Sequence, residues 1–175
     1  MTKNIKVKVG VLGGTFDPPH IGHLKISEEA KKRYKLKKII WAITKKNPIK
    51  NKSFLNLNKR IKLAKKISFK KKYIEVKFFE NKIRSNKTFD LINYLKNNIN
   101  YKEIYFIMGA DNLIHFHKWH KWKKIASKCI LLVFDRNKYK SKSLKSIAYK
   151  KYNKKGLKFI NFNKVNISSS KLRKI

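Results

Sequence analysis

The stretch from Val7 to His23 constrains the fold more than any other part of the chain. An apolar run, Val7-Lys8-Val9-Gly10-Val11-Leu12, leads into Gly13-Gly14-Thr15-Phe16-Asp17-Pro18-Pro19-His20-Ile21-Gly22-His23, and a helical pattern continues from about Ile21 to Tyr34. This order reads as a strand, a glycine turn, and a helix with two histidines in its first turns. Gly13 and Gly14 let the backbone approach an anion, and the N–H groups at a helix start carry partial positive charge toward it. His20 and His23, three apart, are expected on one face of that helix. Other readings fit less well. The order Gly10-x-x-Gly13-Gly14 is not GxGxxG, and no GK[ST] follows to make a P-loop. No Cys, Asp or Glu completes a zinc ligand set with the two histidines. The chemistry indicated is phosphate handling.

A chain of 175 residues fits one domain and can bury a real core. The charge is the anomaly: 47 Lys and Arg against 9 Asp and Glu give +38. Binding to nucleic acid or a membrane surface is one reading. The lysines, however, are spread along the sequence and not gathered into an arm or stripe, and Asn and Ile are abundant everywhere with them. Composition drift in an AT-rich genome explains that pattern, with nonspecific RNA binding as a side effect. Either way, such a field steers anionic substrates inward. Cys129 is the single cysteine and sits in the apolar run Cys129–Phe134, which indicates a buried, inert thiol. The N-terminus has no uninterrupted apolar segment of signal-peptide length, and no stretch approaches a membrane span. A soluble, cytoplasmic protein is expected.

Further along, strands are expected at 38–43, 73–77, 104–108, 129–134 and 157–161. Helical patterns lie between them: one from about Leu55, one from near Thr88, one carrying Leu113, Ile114 and Phe116, and a short one within 119–127. Asp111 is placed to cap the third of these, and Thr88 reads as the N-cap of the second. Residues 78–87 look irregular, and 137–155 reads as a weak helix or mobile loop. Strands alternating with helices imply an α/β protein, a Rossmann-like doubly wound parallel sheet in a single domain spanning residues 1–175. Ligands of such sheets sit at the carboxyl ends of the strands.

The glycine–histidine stretch resembles the nucleotidylyltransferase signature with its HxGH core, in the GGTFDPxHxGH form of nicotinate-nucleotide adenylyltransferases. Other blocks resemble the same family. Trp41-x-x-Thr44-x-x-Asn47-Pro48-x-Lys50 is similar to its substrate-side loop, which implies that Thr44 binds substrate and that Lys50 lies near the phosphates. Ser85-Asn86-Lys87-Thr88-Phe89-Asp90 is similar to SYTxDTL, which implies that Thr88 stands at the nicotinate ring. Phe106-Ile107-Met108-Gly109-Ala110-Asp111-Asn112-Leu113 with Trp119 resembles FIxGxDxLxxxxxW. That block implies close nucleotide approach at Gly109, a turn or ribose role for Asp111, and Trp119 against the pyridine ring, where an aromatic wall suits a flat heterocycle. Arg136 resembles the family's arginine before a turn, although Asn137-Lys138 stand where Pro-Gly is usual. Ile167-Ser168-Ser169-Ser170-Lys171-Leu172-Arg173 resembles ISSTxIR. The resemblance runs from about Val9 to Arg173, and the sequence stops at Ile175, where the family usually continues for a further helix.

What the resemblance implies is adenylyl transfer from ATP to nicotinate mononucleotide, giving deamido-NAD and pyrophosphate, with Mg²⁺ brought by ATP. His20, His23 and Arg173 would be catalytic. Gly13, Gly14, Thr15, Phe16, Gly109, Asp111 and Ser168–Ser170 would bind ATP; Asp17, Thr44, Lys50, Thr88, Trp119 and Arg136 would bind the mononucleotide. Nicotinamide mononucleotide as acceptor, another HxGH adenylyltransferase, and a basic nucleic-acid-binding protein on the same fold are the alternatives. A phosphopantetheine adenylyltransferase shares HxGH but lacks the GADxL…W block. His115, His117 and His120 are read as surface or wall residues. Oligomeric state is left open.

Overall fold

Alternating runs of β-branched and aromatic residues build the centre of the molecule. The computed structural model describes residues 7–46, 53–101, 103–136 and 138–161. Among these residues six strands, β1 (Lys8–Gly14), β2 (Lys38–Ile43), β3 (Ile74–Lys77), β4 (Glu103–Gly109), β5 (Ile130–Phe134) and β6 (Leu157–Ile160), form one sheet in the order β3-β2-β1-β4-β5-β6. Every pairing is parallel. This is the doubly wound α/β arrangement expected from the sequence. Its strand order reverses between β1 and β4, and the carboxyl ends of the strands at such a reversal form the crevice where sheets of this kind bind ligands.

Helices cover both faces because successive strand residues point to opposite sides. On one face Leu12, Ile39, Trp41, Ile43, Tyr105, Ile107 and Leu132 meet Leu24 and Ala30 of α1 (Ile21–Tyr34) and Ala64 of α2 (Leu57–Ser68). On the other, Val9, Val11, Ile40, Phe106, Met108, Leu131 and Val133 meet α4 (Thr88–Asn97), which follows the single turn α3 (Glu80–Ile83). The same layer holds α5 (Ala110–His115), a 3₁₀ turn (Phe116–Lys118) and α6 (Trp122–Lys128). Each fully buried aliphatic or aromatic side chain contributes about 1.5–3 kcal/mol, against roughly 0–1 kcal/mol for an exposed ion pair. The two apolar layers therefore hold the fold, and pairs such as Lys38–Glu75 and Lys8–Glu103 decorate it.

The segment from 137 to 155 differs from expectation. Its described residues include two short helices, α7 (Lys140–Leu144) and α8 (Ile147–Tyr152), anchored by buried Ser143 and Ala148. Only one apolar contact point per turn is needed to seat such short helices, too few for a periodic pattern to show. Residues 78–87, read as irregular, include α3. Cys129 is buried and donates its thiol to the carbonyl of Ile125 at 3.2 Å, and burial pushes its pKa up to about 12, so it is an inert core thiol. Among the described residues no helix is long and apolar enough to cross a membrane.

Candidate active site

The turn after β1 departs from the expected glycine turn. Gly13 and Gly14 are the last residues of the strand, and a Cβ on Gly13 would lie 3.3 Å from the Phe106 ring. Gly13 thus makes room for the core. The reversal itself falls on Phe16, whose backbone is left-handed at φ 49°, an uncommon conformation for a bulky side chain. The Phe16 ring is buried at 2% exposure, stacked on Trp41 with centroids 5.1 Å apart and tilted against His23 at 4.6 Å. Phe16 is therefore packing behind a histidine, and only its backbone is left for contact with ATP.

The two histidines cap each other's end of α1. His20 is the N-cap, outside the helix, so the pair does not share a helical face in the simple i, i+3 sense. Its backbone N–H donates to Nδ1 of His23, and the N–H of Gly22 donates to Nδ1 of His20, both at 3.1 Å. The rings lie 3.9 Å apart. Backbone N–H groups only donate, so each Nδ1 must be an unprotonated acceptor and each proton sits on Nε2. Burial lowers the His20 pKa to about 4, with the charge of Arg136 adding to it; burial, then neighbouring His20, and also Arg136, hold His23 well below its usual range. Both rings are neutral Nε2–H donors at physiological pH. A hydroxyl relay fixes the helix beneath them: Ser27 Oγ donates to the carbonyl of His23 at 2.7 Å and accepts from Trp41 Nε1 at 2.9 Å.

Across the crevice, β4 and β5 present an acid and a base. Asp111 does not cap α5; the N-cap is Gly109, with no side-chain cap bond. Asp111 Oδ2 instead accepts from Arg136 Nη1 at 2.6 Å, with both side chains partly exposed. Its other oxygen, Oδ1, is buried and has no hydrogen bond among the described residues. Gly109 is what makes this placement possible, since a Cβ there would stand 2.5 Å from Asp111 Oδ1. The space expected to admit nucleotide at Gly109 is thus taken by the carboxylate. Arg136 also lies over the Tyr139 ring at 5.9 Å.

The remaining expected residues fall in three groups. Thr88 is the first residue of α4 and not its cap; Lys87 is the N-cap and supplies no side-chain bond, while Ser85 Oγ accepts from Lys87 N–H at 3.1 Å and donates to Asp90. Trp119 is half-buried, edge-on to Phe106 and Phe116. Phe89, next to Thr88, meets His120, next to Trp119, with ring centroids 6.2 Å apart. Asp17 is buried, and its two oxygens accept from Phe54 N–H at 2.6 Å and Leu55 N–H at 2.8 Å. Its carboxylate therefore shapes the loop. Lys50, Ser168, Ser169, Ser170 and Arg173 lie outside the described residues.

One residue escaped the sequence reading. Arg60, on the inner face of α2 with Ala64 and Ser68, is 1% exposed and donates to four carbonyls: Leu55 at 3.0 Å, Thr15 at 2.6 Å, Thr44 at 2.8 Å and Lys45 at 2.9 Å. A buried charge stripped of its partners costs about 3–5 kcal/mol, so this clamp is no incidental contact. Glu80 holds the same strand exit by accepting from Lys45 N–H at 3.0 Å. Placing a basic residue on the buried stripe of an amphipathic helix was the available signal.

Comparison with known proteins places the chain in a family. The cytidylyltransferase-like family model matches residues 11–175. A protein of Pelagibacter ubique named "Probable nicotinate-nucleotide adenylyltransferase" is 66% identical over 170 residues, covering 97% of this chain and 94% of that one. A Bradyrhizobium protein of the same name is 39% identical over 131 residues, 74% of this chain and 68% of its own. The fold matches that of Plasmodium falciparum nicotinic acid mononucleotide adenylyltransferase, solved with APC and with NaAD, at a TM-score of 0.74 and 20% identity over 95% of this chain and 82% of that one. The chain belongs to the cytidylyltransferase-like family and, within it, to the nicotinate-nucleotide adenylyltransferases.

Proposed function

We propose that this chain transfers the adenylyl group of ATP to nicotinate mononucleotide, releasing pyrophosphate and forming deamido-NAD in NAD biosynthesis. A phosphate oxygen of the mononucleotide attacks the α-phosphorus; the bond from that phosphorus to the bridging oxygen breaks, and pyrophosphate leaves. The nucleophile is already ionised near neutrality, so no general base is needed. The site has to align two anions and absorb charge on the transferring phosphoryl group. The observation that carries this reading is the reciprocal capping of His20 and His23, which fixes two neutral Nε2–H donors beside the crevice. Preorganised donors of this kind act without rearrangement during the reaction.

The other roles follow from the same crevice. Asp111 Oδ1, buried and without a donor among the described residues, suits a ribose hydroxyl. Arg136, whose charge is felt at His20 and His23, stands where either substrate's phosphate charge can be met, and Gly14 and Thr15 are assigned to ATP. The uncapped start of α4 at Thr88 offers N–H groups to the nicotinate carboxylate, and Trp119 a wall for its ring. Thr44 and Lys50 are assigned to the mononucleotide's phosphate, and Ser168, Ser169, Ser170 and Arg173 to the leaving pyrophosphate. Magnesium is part of the substrate: it arrives bridging ATP phosphates and keeps most of its waters. Residues 1–175 act as one catalytic unit, which we place in the cytoplasm.

The test is pyrophosphate release from MgATP with nicotinate mononucleotide and nicotinamide mononucleotide side by side. Strong preference for the acid is expected. Equal use of both would contradict the carboxylate assignment at Thr88, and no release with either from folded protein would contradict the reaction itself.

A further inference from the structure

We propose that Arg60 is a positioning residue for the histidine pair, acting through Phe16; its kinetic consequence rests on the adenylyl-transfer reading above. Phe16 occupies a left-handed backbone that a bulky side chain rarely adopts unless its surroundings enforce it. The enforcement is visible on both sides. The residue before it, Thr15, gives its carbonyl to Arg60 Nη1 at 2.6 Å; the residue after it, Asp17, takes the N–H groups of Phe54 and Leu55. Arg60 closes the circuit by also taking the carbonyl of Leu55 at 3.0 Å, so one guanidinium and one carboxylate grip the same loop from opposite polarities.

The gripped turn bears directly on the histidines. Held at φ 49°, the Phe16 ring packs against both Trp41 and His23, which also meet each other, and His23 Nδ1 in turn holds the His20 N–H. Arg60 also ties the exit of β2, through the carbonyls of Thr44 and Lys45, to this turn. A planar fork with five donors can serve four carbonyls in different directions; an ammonium cannot. Burial draws the guanidinium pKa down, and the charges of Asp17 and Glu80 oppose that, so the clamp stays cationic.

Arg60→Lys keeps the charge and loses the fork. The variant, confirmed folded by circular dichroism, is expected to lower kcat about tenfold or more, since displacing reacting groups by an ångström can cost about a hundredfold. The KM values for ATP and the mononucleotide should stay within about twofold, the pattern of an interaction felt mainly in the transition state. The ¹⁵N signals of the His20 and His23 imidazoles should move, a readout independent of which substrate the enzyme takes. Ser68→Ala, one helical turn beyond Ala64 on the same buried face, is the control: it loses a buried hydrogen bond and should leave kcat per folded molecule and both histidine spectra unchanged. Should Arg60→Lys fail to fold, Phe16→Leu carries the test with the same expected fall in kcat and the same spectral change. Unmoved histidine signals with wild-type kcat would overturn the proposal. So would a loss of rate that only tracks the folded fraction, as in the control. Moved signals in an enzyme inert toward both mononucleotides would uphold the positioning role and refute the reaction instead.

Discussion

The two walls of the crevice are built on opposite principles. On the β1 side the donors are neutral, their orientation set by backbone N–H groups, a buried aromatic stack and the four-carbonyl grip of Arg60. On the β4–β5 side the groups are charged, Asp111 against Arg136, partly exposed and joined to each other by one contact. A neutral imidazole held by the backbone loses little when a substrate binds and gains as charge develops on phosphorus. An exposed ion pair is worth little by itself and can exchange its partner for a substrate's anion or hydroxyl. The first wall suits transition-state stabilisation; the second suits selection and release.

That contrast can be broken in order of expected effect. The largest belongs to His23→Ala, which deletes a donor from the rigid wall. Turnover should fall by about 10²–10³-fold, while the fold survives, because the lost cap bond from His20 is worth only about 1 kcal/mol. Near-normal kcat in that variant would remove the histidine from the reaction. A smaller effect belongs to the charged wall. Gly109→Ala puts a Cβ where Asp111 Oδ1 now lies, and the carboxylate must swing away. The KM for ATP should rise about tenfold, roughly the 1.4 kcal/mol of one misplaced hydrogen bond, with kcat changed less. An unchanged KM for ATP would show that Asp111 does not contact the nucleotide.

How much of this was legible in the sequence depended on what kind of pattern held each part. Strands and long helices were plain because buried faces repeat: α1 runs from Ile21 to Tyr34 and β2 from Lys38 to Ile43, as the apolar periodicity indicated. The reciprocal cap of His20 and His23 was half legible. Their spacing marked them, but which nitrogen bonds which N–H depends on rotamers that spacing does not fix. Arg60 was illegible as a member of the buried stripe, since the helix pattern from about Leu55 was read through Leu57, Ile61, Leu63, Ala64 and Ile67. A subtler mark was present: only five of the 47 basic residues are arginine, and in a chain so biased to lysine a retained arginine points to a need for the planar fork. Arg60 meets that need. Asp17 was read as a ligand for substrate, but its carboxylate accepts the N–H groups of Phe54 and Leu55 in the loop before α2, a pairing so distant along the chain that local spacing does not mark it.

The central claim is that His20 and His23 work as neutral Nε2–H donors. A long-range ¹H–¹⁵N correlation spectrum of histidine-labelled protein, titrated from pH 8 downward, reads the tautomer and the charge of each ring. The folded pKa of His20 is lowered to about 4 and that of His23 lies below its ordinary range as well. Both rings should therefore show a protonated Nε2 and a bare Nδ1 at pH 7, and stay neutral well below pH 6. A proton on Nδ1 of either ring, or a cationic ring at pH 7, would contradict the account.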